Sequence, residues 1–262
     1  MVKTKDILKL LNAIAPFDIA EDWDNSGLQA GNLNWEVKKI IIGLDVSLEL
    51  MNAAKKGNCD LVLTHHPLMI QPEKSIDFNR MPGSAIKIAA RQKISIISVH
   101  TNLDKANDGL NDYFSAKIGV KKTKVFLDDT IGMGRIGTLE SQASLRQVVL
   151  QIKEKLNLSH LRVTGKMDLP ITKVAICTGS GGSLLDEFLK STADVYITGD
   201  IKYHEARRVE EASKALIDVG HFGSEHMAVD LLFDRLNQAI LDAGFTIEID
   251  RFKKEKDPFT IV

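Results

Sequence analysis

The sequence predicts an α/β protein made of two similar α/β subdomains with mainly parallel sheets, layered α/β/α. Strands alternate with helices in residues 40–104, and the same order recurs in residues 174–219. Matching positions in the two segments are also separated by a constant number of residues. Helices of about ten residues between buried strands are typical of βαβ units, whose strands run parallel.

The first segment contains three apolar stretches that read as buried strands. Two amphipathic stretches between them read as helices, and Gly57 is placed to end the first one. The predicted strands are Lys39–Leu44, Leu61–Leu63 and Ile94–Val99, and the predicted helices are 47–56 and 83–92.

The second segment repeats this order of strand, helix, strand, helix and strand. Ser183 is predicted to cap its first helix, with Asp186 three residues further on, as in a capping box. The buried stripe of that helix is Leu184, Leu185, Phe188 and Leu189. The predicted strands are Val174–Cys177, Asp194–Thr198 and Leu216–Val219, and the second helix is 204–215.

A fixed offset relates the two segments. Ile40 and Val174, Asp60 and Asp194, and Thr64 and Thr198 are each 134 residues apart. An offset that is preserved together with the element order indicates a structural repeat. Few of the matched residues are identical, so the repeat is one of fold more than of sequence.

The flanking residues complete the two subdomains. The predicted elements are an N-terminal helix ending near Pro16, a strand at 132–139, a helix from Ser144, a strand at 161–165, a helix around 229–240 and a strand at 245–249. We predict a first subdomain of residues 1–125 with 226–262, and a second of residues 126–225.

Composition narrows the possible functions. The chain has 262 residues, of which 44% are hydrophobic, and its formal net charge is −1, which does not predict a nucleic-acid partner. We interpret the basic run Lys121, Lys122 and Lys124 as a solvated face. The sequence predicts neither a signal peptide nor a membrane span. Cys59 and Cys177 are predicted to be core residues, and a cytoplasmic location is expected.

Polar side chains follow three of the predicted parallel strands. Two of these ends carry a histidine and, four residues later, an acid. The residues are His65 and His66 after the strand Leu61–Leu63, His100 and Asp104 after the strand Ile94–Val99, and His221 and Glu225 after the last strand of the second segment. Ligands of open parallel sheets bind at the carboxyl ends of strands. Imidazole and carboxylate together favour a pair of zinc, manganese, iron or nickel ions.

Three further features have alternative interpretations. An isolated histidine near a strand is usually a core or surface residue, so the adjacent pair alone would be a weak signal. The turn Gly179–Gly182 could bind a phosphate at a helix N-terminus, but a tight turn is the favoured interpretation. His204 and Glu205 open a helix and are interpreted as structural, with a role in the site as the alternative.

Five motifs together resemble one family across nearly the whole chain. They are DNSGLQAG at 24–31, LTHHPL at 63–68, VHTNLD at 99–104, ITGDIKYH at 197–204 and GHFGSE at 220–225. In this order they resemble the GTP cyclohydrolase I type 2 homolog family, also called Nif-three-like proteins. The chain resembles the short members, which lack an inserted middle domain.

The resemblance implies a dinuclear metal site in the cleft between the subdomains, within a toroidal homohexamer. The implied metal ligands are His65, His66, Asp104, His221 and Glu225, and Glu225 would bridge the ions. His100 matches the histidine of the family's HTN motif. It would either support the metal ligands without binding an ion, or carry a proton beside the ions.

We therefore predict a dinuclear-metal-dependent hydrolase of a small nucleotide-like or cyclic substrate, with His100 as its catalytic residue. The resemblance does not identify that substrate. The alternative is a ring-forming binding, regulatory or metal-handling protein whose ions are structural.

Overall fold

The computed structural model describes residues 1–126 and 132–261, and the chain forms two compact units. The first unit is Met1–Ala106 with Ala228–Lys256, and the second is Asn107–Met227 with Asp257–Val262. The domain boundaries expected from the sequence, 1–125 with 226–262 and 126–225, stay a prediction.

Each unit contains one run of strand, helix, strand, helix, strand and helix, with further elements around it. Residues 1–106 contain α1 (Thr4–Ile14), β1 (Gly27–Ala30), β2 (Lys39–Gly43), α2 (Leu48–Lys56), β3 (Leu61–Thr64), α3 (Gly83–Gln92), β4 (Ser95–Ser98) and α4 (Thr101–Lys105). Residues 107–227 contain α5 (Leu110–Ile118), β5 (Lys121–Val125), β6 (Arg135–Ser144), α6 (Leu145–Leu156), β7 (Arg162–Thr164), β8 (Pro170–Ser180), α7 (Leu185–Lys190), β9 (Val195–Gly199), α8 (Tyr203–Glu211), β10 (Ala215–Asp218) and α9 (His221–Glu225). The chain then returns to the first unit with α10 (Ala228–Asp242) and β11 (Glu248–Arg251).

The sheet of the first unit is mainly parallel, as the sequence predicts. Its strand order within the described residues is β1-β4-β3-β2-β11. Strands β4, β3, β2 and β11 pair in parallel, and β1 adds an antiparallel edge. The carboxyl ends of β2, β3 and β4 therefore lie at one edge of this sheet.

Helices α2 and α3 cover one face of this sheet. Ile41, Val62 and Ile96, one from each central strand, form a buried cluster with Leu50 of α2 and Ala89 of α3. Successive side chains of a strand point to opposite faces. The alternate residues, such as Ile40 and Ile42, are also fully buried, and α10 contacts β2. Burial on both faces explains why these strands are continuous apolar runs.

The sheet of the second unit is mixed. Its strand order is β5-β6-β8-β9-β10-β7 in the part of the chain that the structure describes. Only β8, β9 and β10 pair in parallel, while β5, β6 and β7 join antiparallel. The prediction of two α/β subdomains is confirmed, and the parallel part of the second one is its three central strands.

In the second unit, as in the first, buried apolar side chains pack helices against one face of the sheet. Tyr196 of β9 stacks on Phe188 of α7, with ring centroids 5.2 Å apart. Val209 of α8 and Leu216 of β10 belong to the same buried cluster. The apolar positions read from the sequence therefore form this core.

A matching pair of hydrogen bonds supports the repeat. A carboxylate oxygen of Asp60 accepts the backbone N–H groups of Lys38 and Lys39, at 2.8 and 3.0 Å. Asp194 accepts those of Thr172 and Lys173, both at 2.8 Å. Donors and acceptor are all shifted by 134 residues. Each aspartate is thus hydrogen-bonded to the parallel strand that precedes it along the chain, β2 or β8.

The expected cap at Ser183 is wrong. Residues Gly181–Leu184 form a 3-10 turn, and α7 begins only at Leu185, without a side-chain cap. Gly179 has a φ of +63°, a conformation that favours glycine. The Gly179–Gly182 stretch therefore covers the last residues of β8 and the start of the tight turn that leads to α7.

The prediction that the cysteines are core residues is confirmed, since both Cys59 and Cys177 are buried. Among the described residues, no helix is long and apolar enough to cross a membrane. The basic run at 121–125 forms the mostly exposed strand β5.

Candidate metal centre

In the first unit, the ends of two neighbouring parallel strands hold the predicted site residues. His65 and His66 follow β3 directly, and His100 lies between β4 and α4. Asp104 belongs to the short helix α4. Because β3 and β4 pair in parallel, both ends lie side by side.

The possible ligand atoms of these side chains lie near one another. One ring nitrogen each from His65, His66 and His100 lies within 4.8 Å of the others. Nε2 of His65 is 3.8 Å from Oδ1 of Asp104. Two ligands of one zinc ion can be at most about 4.2 Å apart, since each bond is about 2.0–2.2 Å long. His65 and Asp104 are within that limit.

Hydrogen bonds from Nδ1 fix the tautomers of His65 and His66. Nδ1 of His65 donates to the backbone carbonyl of Val99 at 2.8 Å. Nδ1 of His66 donates to the carboxylate of Asp45 at 2.7 Å. With the proton on Nδ1, the lone pair of each neutral ring is on Nε2. Metal-binding histidines are commonly oriented in this way.

His100 has a similar partner in Asp24. Nδ1 of His100 donates to Asp24 at 2.7 Å, and the hydroxyl of Thr101 donates to the same carboxylate at 2.6 Å. Ser26 donates to it as well, at 2.8 Å. Burial raises the pKa of Asp24, but these hydrogen bonds and the nearby imidazole outweigh it and hold the pKa well below its usual range.

Hydroxyl groups of the strands hold the histidine turn in place. Thr64 and Ser98 both donate to the backbone carbonyl of His66, at 2.8 and 3.0 Å. The backbone N–H of His66 donates to the carbonyl of Leu44 at 2.9 Å. The turn after β3 is therefore tied to the ends of both neighbouring strands.

The second unit brings His221 and Glu225 together on α9. Nε2 of His221 is 2.8 Å from Oε2 of Glu225, which is almost fully buried. The two residues are four apart, so they lie on one face of the helix. Nδ1 of His221 donates to Asp200 at 2.7 Å, which repeats the arrangement of His66 with Asp45.

Gly179 leaves the space that Glu225 occupies. A Cβ atom at Gly179 would lie 2.0 Å from Oε1 of Glu225. The N–H of Gly179 donates to the hydroxyl of Ser224 at 2.9 Å, and that hydroxyl also bonds to the carbonyls at the start of α9. Gly179 thus leaves room for the carboxylate of Glu225 and, through Ser224, is tied to the start of α9.

The donor chemistry of each unit suits a transition-metal ion. Each combines imidazole nitrogen with carboxylate oxygen, and each imidazole has its Nδ1 hydrogen-bonded to an oxygen. Such donors suit zinc, iron, manganese or nickel better than magnesium or calcium. The described residues therefore include groups that could hold a metal ion.

His204 and Glu205 have structural positions, in line with the favoured interpretation. Glu205 accepts the N–H of Lys202 at 2.7 Å and so caps α8. His204 is exposed and contacts the ring of Tyr203 at a centroid distance of 5.3 Å.

Sequence reasoning did not identify Asp24, Asp45 and Asp200 as partners of the histidines. Asp45 and Asp200 each follow the end of a strand, and Asp24 opens the DNSGLQAG motif. An acid at the carboxyl end of a parallel strand was the available signal. A single aspartate there is equally typical of a turn, so the pattern alone does not assign it.

Comparison with known proteins identifies the family of the chain. A family model for Duf34/NIF3 (NGG1p interacting factor 3) matches residues 2–258. The "GTP cyclohydrolase 1 type 2 homolog" of Clostridium acetobutylicum is 31% identical over 263 residues, covering 98% of each chain. The "GTP cyclohydrolase 1 type 2" of Helicobacter pylori strain J99 is 35% identical over 255 residues, covering 97% of this chain and 98% of the relative.

A solved structure confirms the fold. The crystal structure of a Bacillus cereus protein related to NIF3 superimposes with a TM-score of 0.93 over 100% of this chain and 99% of the other, at 23% identity. The whole-length family match and the identity to curated relatives place the chain in a family. It belongs to the Duf34/NIF3 (NGG1p interacting factor 3) family.

Proposed function

We propose that this protein is a hydrolase that depends on two divalent transition-metal ions and acts on a small nucleotide-like or cyclic substrate. The observation that carries the proposal is the common orientation of four histidines. In His65, His66, His100 and His221, Nδ1 is bonded to an oxygen, so that Nε2 is the metal-facing or substrate-facing atom. The names of the curated relatives supply the nucleotide-like substrate class.

The metal ligands in this proposal are the five residues expected from the sequence. They are His65, His66, Asp104, His221 and Glu225, with Glu225 as the bridging carboxylate. Support comes from the donor chemistry of each unit and from the 3.8 Å between His65 and Asp104. That the two sets serve one dinuclear centre stays a prediction.

His100 is the proposed proton carrier. Paired ions, when bound, lower the pKa of a bound water and stabilise charge on the oxygens of a displacement. The bond to Asp24 keeps the Nδ1 proton of His100 in place, so Nε2 is the atom that accepts or returns a proton. The ring of His100 lies 5.2 Å from that of His65, centroid to centroid. It is therefore beside the ligands without being needed as one.

A screen of metal-loaded protein tests this function. Candidate substrates are GTP, nucleotide phosphodiesters and cyclic amides, each with the wild type and with Glu225→Ala. We expect turnover of one class, loss of turnover and of metal in Glu225→Ala, and loss of turnover alone in His100→Gln. The fall for His100→Gln should be about 100-fold or more. His204→Gln is the matched control, since His204 is exposed and outside both ligand sets.

We also propose a homohexamer in the cytoplasm, and two cysteines buried in apolar cores suit such a compartment. Light scattering before and after chelation tests the assembly. If metal-loaded protein turns over none of the candidate substrates while chelation dissociates the hexamer, the hydrolase proposal is wrong. The ions would then be structural, as in a ring-forming binding or regulatory protein.

A further inference from the structure

A cavity of about 540 Å³ lies in the first unit, and the proposed metal ligands do not line it. It is formed between the segment before β1 and the loop that follows the histidine pair. Its lining residues are Trp23, Asp24, Asn25, Met69, Ile70, Gln71, Pro72, Glu73 and Ile76. This volume falls in the range of small-molecule sites, about 300–1,000 Å³.

The two sides of the cavity are joined to each other. Nδ2 of Asn25 donates to the backbone carbonyl of Met69 at 2.7 Å, and also to Gln29 at 3.1 Å. A loop without helix or strand is thereby tied to the segment that carries Trp23 and Asp24. The cavity is consequently a formed feature of the unit rather than a gap beside a loose loop.

Trp23 gives the cavity an aromatic wall. Its indole meets the ring of His100 edge to face, with centroids 6.0 Å apart and planes at 77°. Even so, 54% of its surface is exposed, together with 46% of Ile70 and 43% of Ile76. Exposed aromatic and aliphatic groups around one cavity suit a flat apolar ring, because stacking buries both surfaces.

The polar groups of the cavity favour a ring with N–H donors. Glu73 supplies a carboxylate, which only accepts hydrogen bonds, and Gln71 supplies a donor and an acceptor. Both are exposed. Asp24 adds a second negative charge, although its oxygens already accept from His100, Thr101 and Ser26. Two carboxylates disfavour a phosphate in this cavity, so the ring end of a substrate fits better than its phosphate end.

We propose that this cavity binds a planar nitrogen heterocycle, such as a purine base, stacked on Trp23 with its N–H edge toward Gln71 and Glu73. The inference rests on the proposed function, because it names the part of a nucleotide-like substrate that this unit would recognise. The ring would lie beside His100, which Trp23 contacts and Asp24 orients. Trp23 is then a residue that determines specificity.

Fluorescence of a single tryptophan tests the proposal directly. The chain has two tryptophans, so Trp35→Phe leaves Trp23 as the sole indole. Titration of this variant with guanosine should quench its emission saturably, and inorganic triphosphate should not. Because the cavity contains none of the five proposed ligands, quenching should persist after the metals are stripped with a chelator.

Calorimetry with matched variants gives the second readout. Trp23→Leu keeps an apolar side chain but removes the ring, and should weaken guanosine binding by about tenfold or more. Trp23→Phe should restore most of the affinity. Phe78→Leu is the control, because Phe78 is 52% exposed in the same loop and does not line the cavity.

The possible results separate this inference from the hydrolase proposal. Saturable quenching by guanosine in stripped protein, with weaker binding in Trp23→Leu alone, supports the cavity even if no turnover is found. Absence of saturable quenching by guanosine overturns the inference, even if the protein proves to be a metal-dependent hydrolase. Equal affinity of Trp23→Leu and wild type overturns it as well.

Discussion

Nε2 of His65 and Oδ1 of Asp104 are 3.8 Å apart, and both side chains are almost completely buried. That distance is too long for a hydrogen bond, but two ligands of one ion can be this far apart. Imidazole nitrogen and carboxylate oxygen at this distance are donors that suit one shared transition-metal ion, and we propose that this pair binds one.

Asp104→Asn should lower metal affinity by about tenfold or more, because an amide is a neutral and weaker ligand than a carboxylate. The helical content of the protein should not change. Metal affinity is measured by competition with a chromophoric chelator. Asp77→Asn is the control, since Asp77 is a surface residue that pairs with Arg80. Equal affinity of Asp104→Asn and wild type would remove Asp104 from the ligand set.

Asp45→Asn and Asp200→Asn should each weaken metal binding by about 10- to 100-fold. Their carboxylates hold the Nδ1 protons of His66 and His221, so their loss frees each ring to rotate or change tautomer. The same chelator competition measures the effect. Asp186→Asn, which removes a surface pair with Arg208, should leave affinity unchanged. A drop in the control as large as in the other two would point to a general effect of charge.

Gly179→Ala should reduce metal content by displacing Glu225, because a Cβ atom would lie 2.0 Å from the carboxylate oxygen. Gly244→Ala is a matched control, since Gly244 has a φ of +68° and nothing within 4 Å of a Cβ. Both variants carry a similar backbone strain. Mass spectrometry of the two purified variants should show metal loss in Gly179→Ala alone. Equal loss in both would mean that strain, and not the displaced acid, is responsible.

Asp24→Asn should lower the free energy of unfolding at neutral pH by about 1.5–3 kcal/mol, the range for hydrogen bonds to a charged group. The pKa of Asp24 is lower in the folded protein than in the unfolded chain. The stability that the Asp24 carboxylate contributes is therefore complete at a pH above its pKa in the unfolded chain. This stability is lost as the pH falls toward its pKa in the folded protein. Urea unfolding at about pH 7 and about pH 3 measures this. The variant should lose less stability than wild type on acidification, and equal losses would contradict the assignment.

The central strands and their helices could be predicted from local pattern. Runs such as KIIIGL are apolar because both faces of the sheet are covered, and the helices between them carry regular apolar stripes. The antiparallel edge strands β1 and β5 could not be predicted. Strand β5, with the sequence KKTKV, is largely exposed, so its place in the sheet depends on pairing with β6 and not on its own pattern. The short helices α4 and α9 have only five residues each, too few for a periodic signal.

The histidines could be predicted as a group, but the different positions of His100 and His221 relative to their strands could not. The N–H of Val99 donates to the carbonyl of Thr64, and that of Val219 donates to the carbonyl of Thr198. In this common frame His100 comes directly after Val99, whereas Gly220 precedes His221. The two strand ends therefore place their histidines one position apart. Sequence spacing alone suggested two equal motifs, and the backbone pairing shows that the two copies present different side chains.

The most direct test of the central claim is the number of metal ions per chain in purified, reconstituted protein, measured by mass spectrometry. We expect two divalent transition-metal ions per chain in the wild type, and marked loss of metal in His65→Ala and in Glu225→Ala. Folded protein that holds no stoichiometric metal after reconstitution with zinc, iron, manganese and nickel would contradict it.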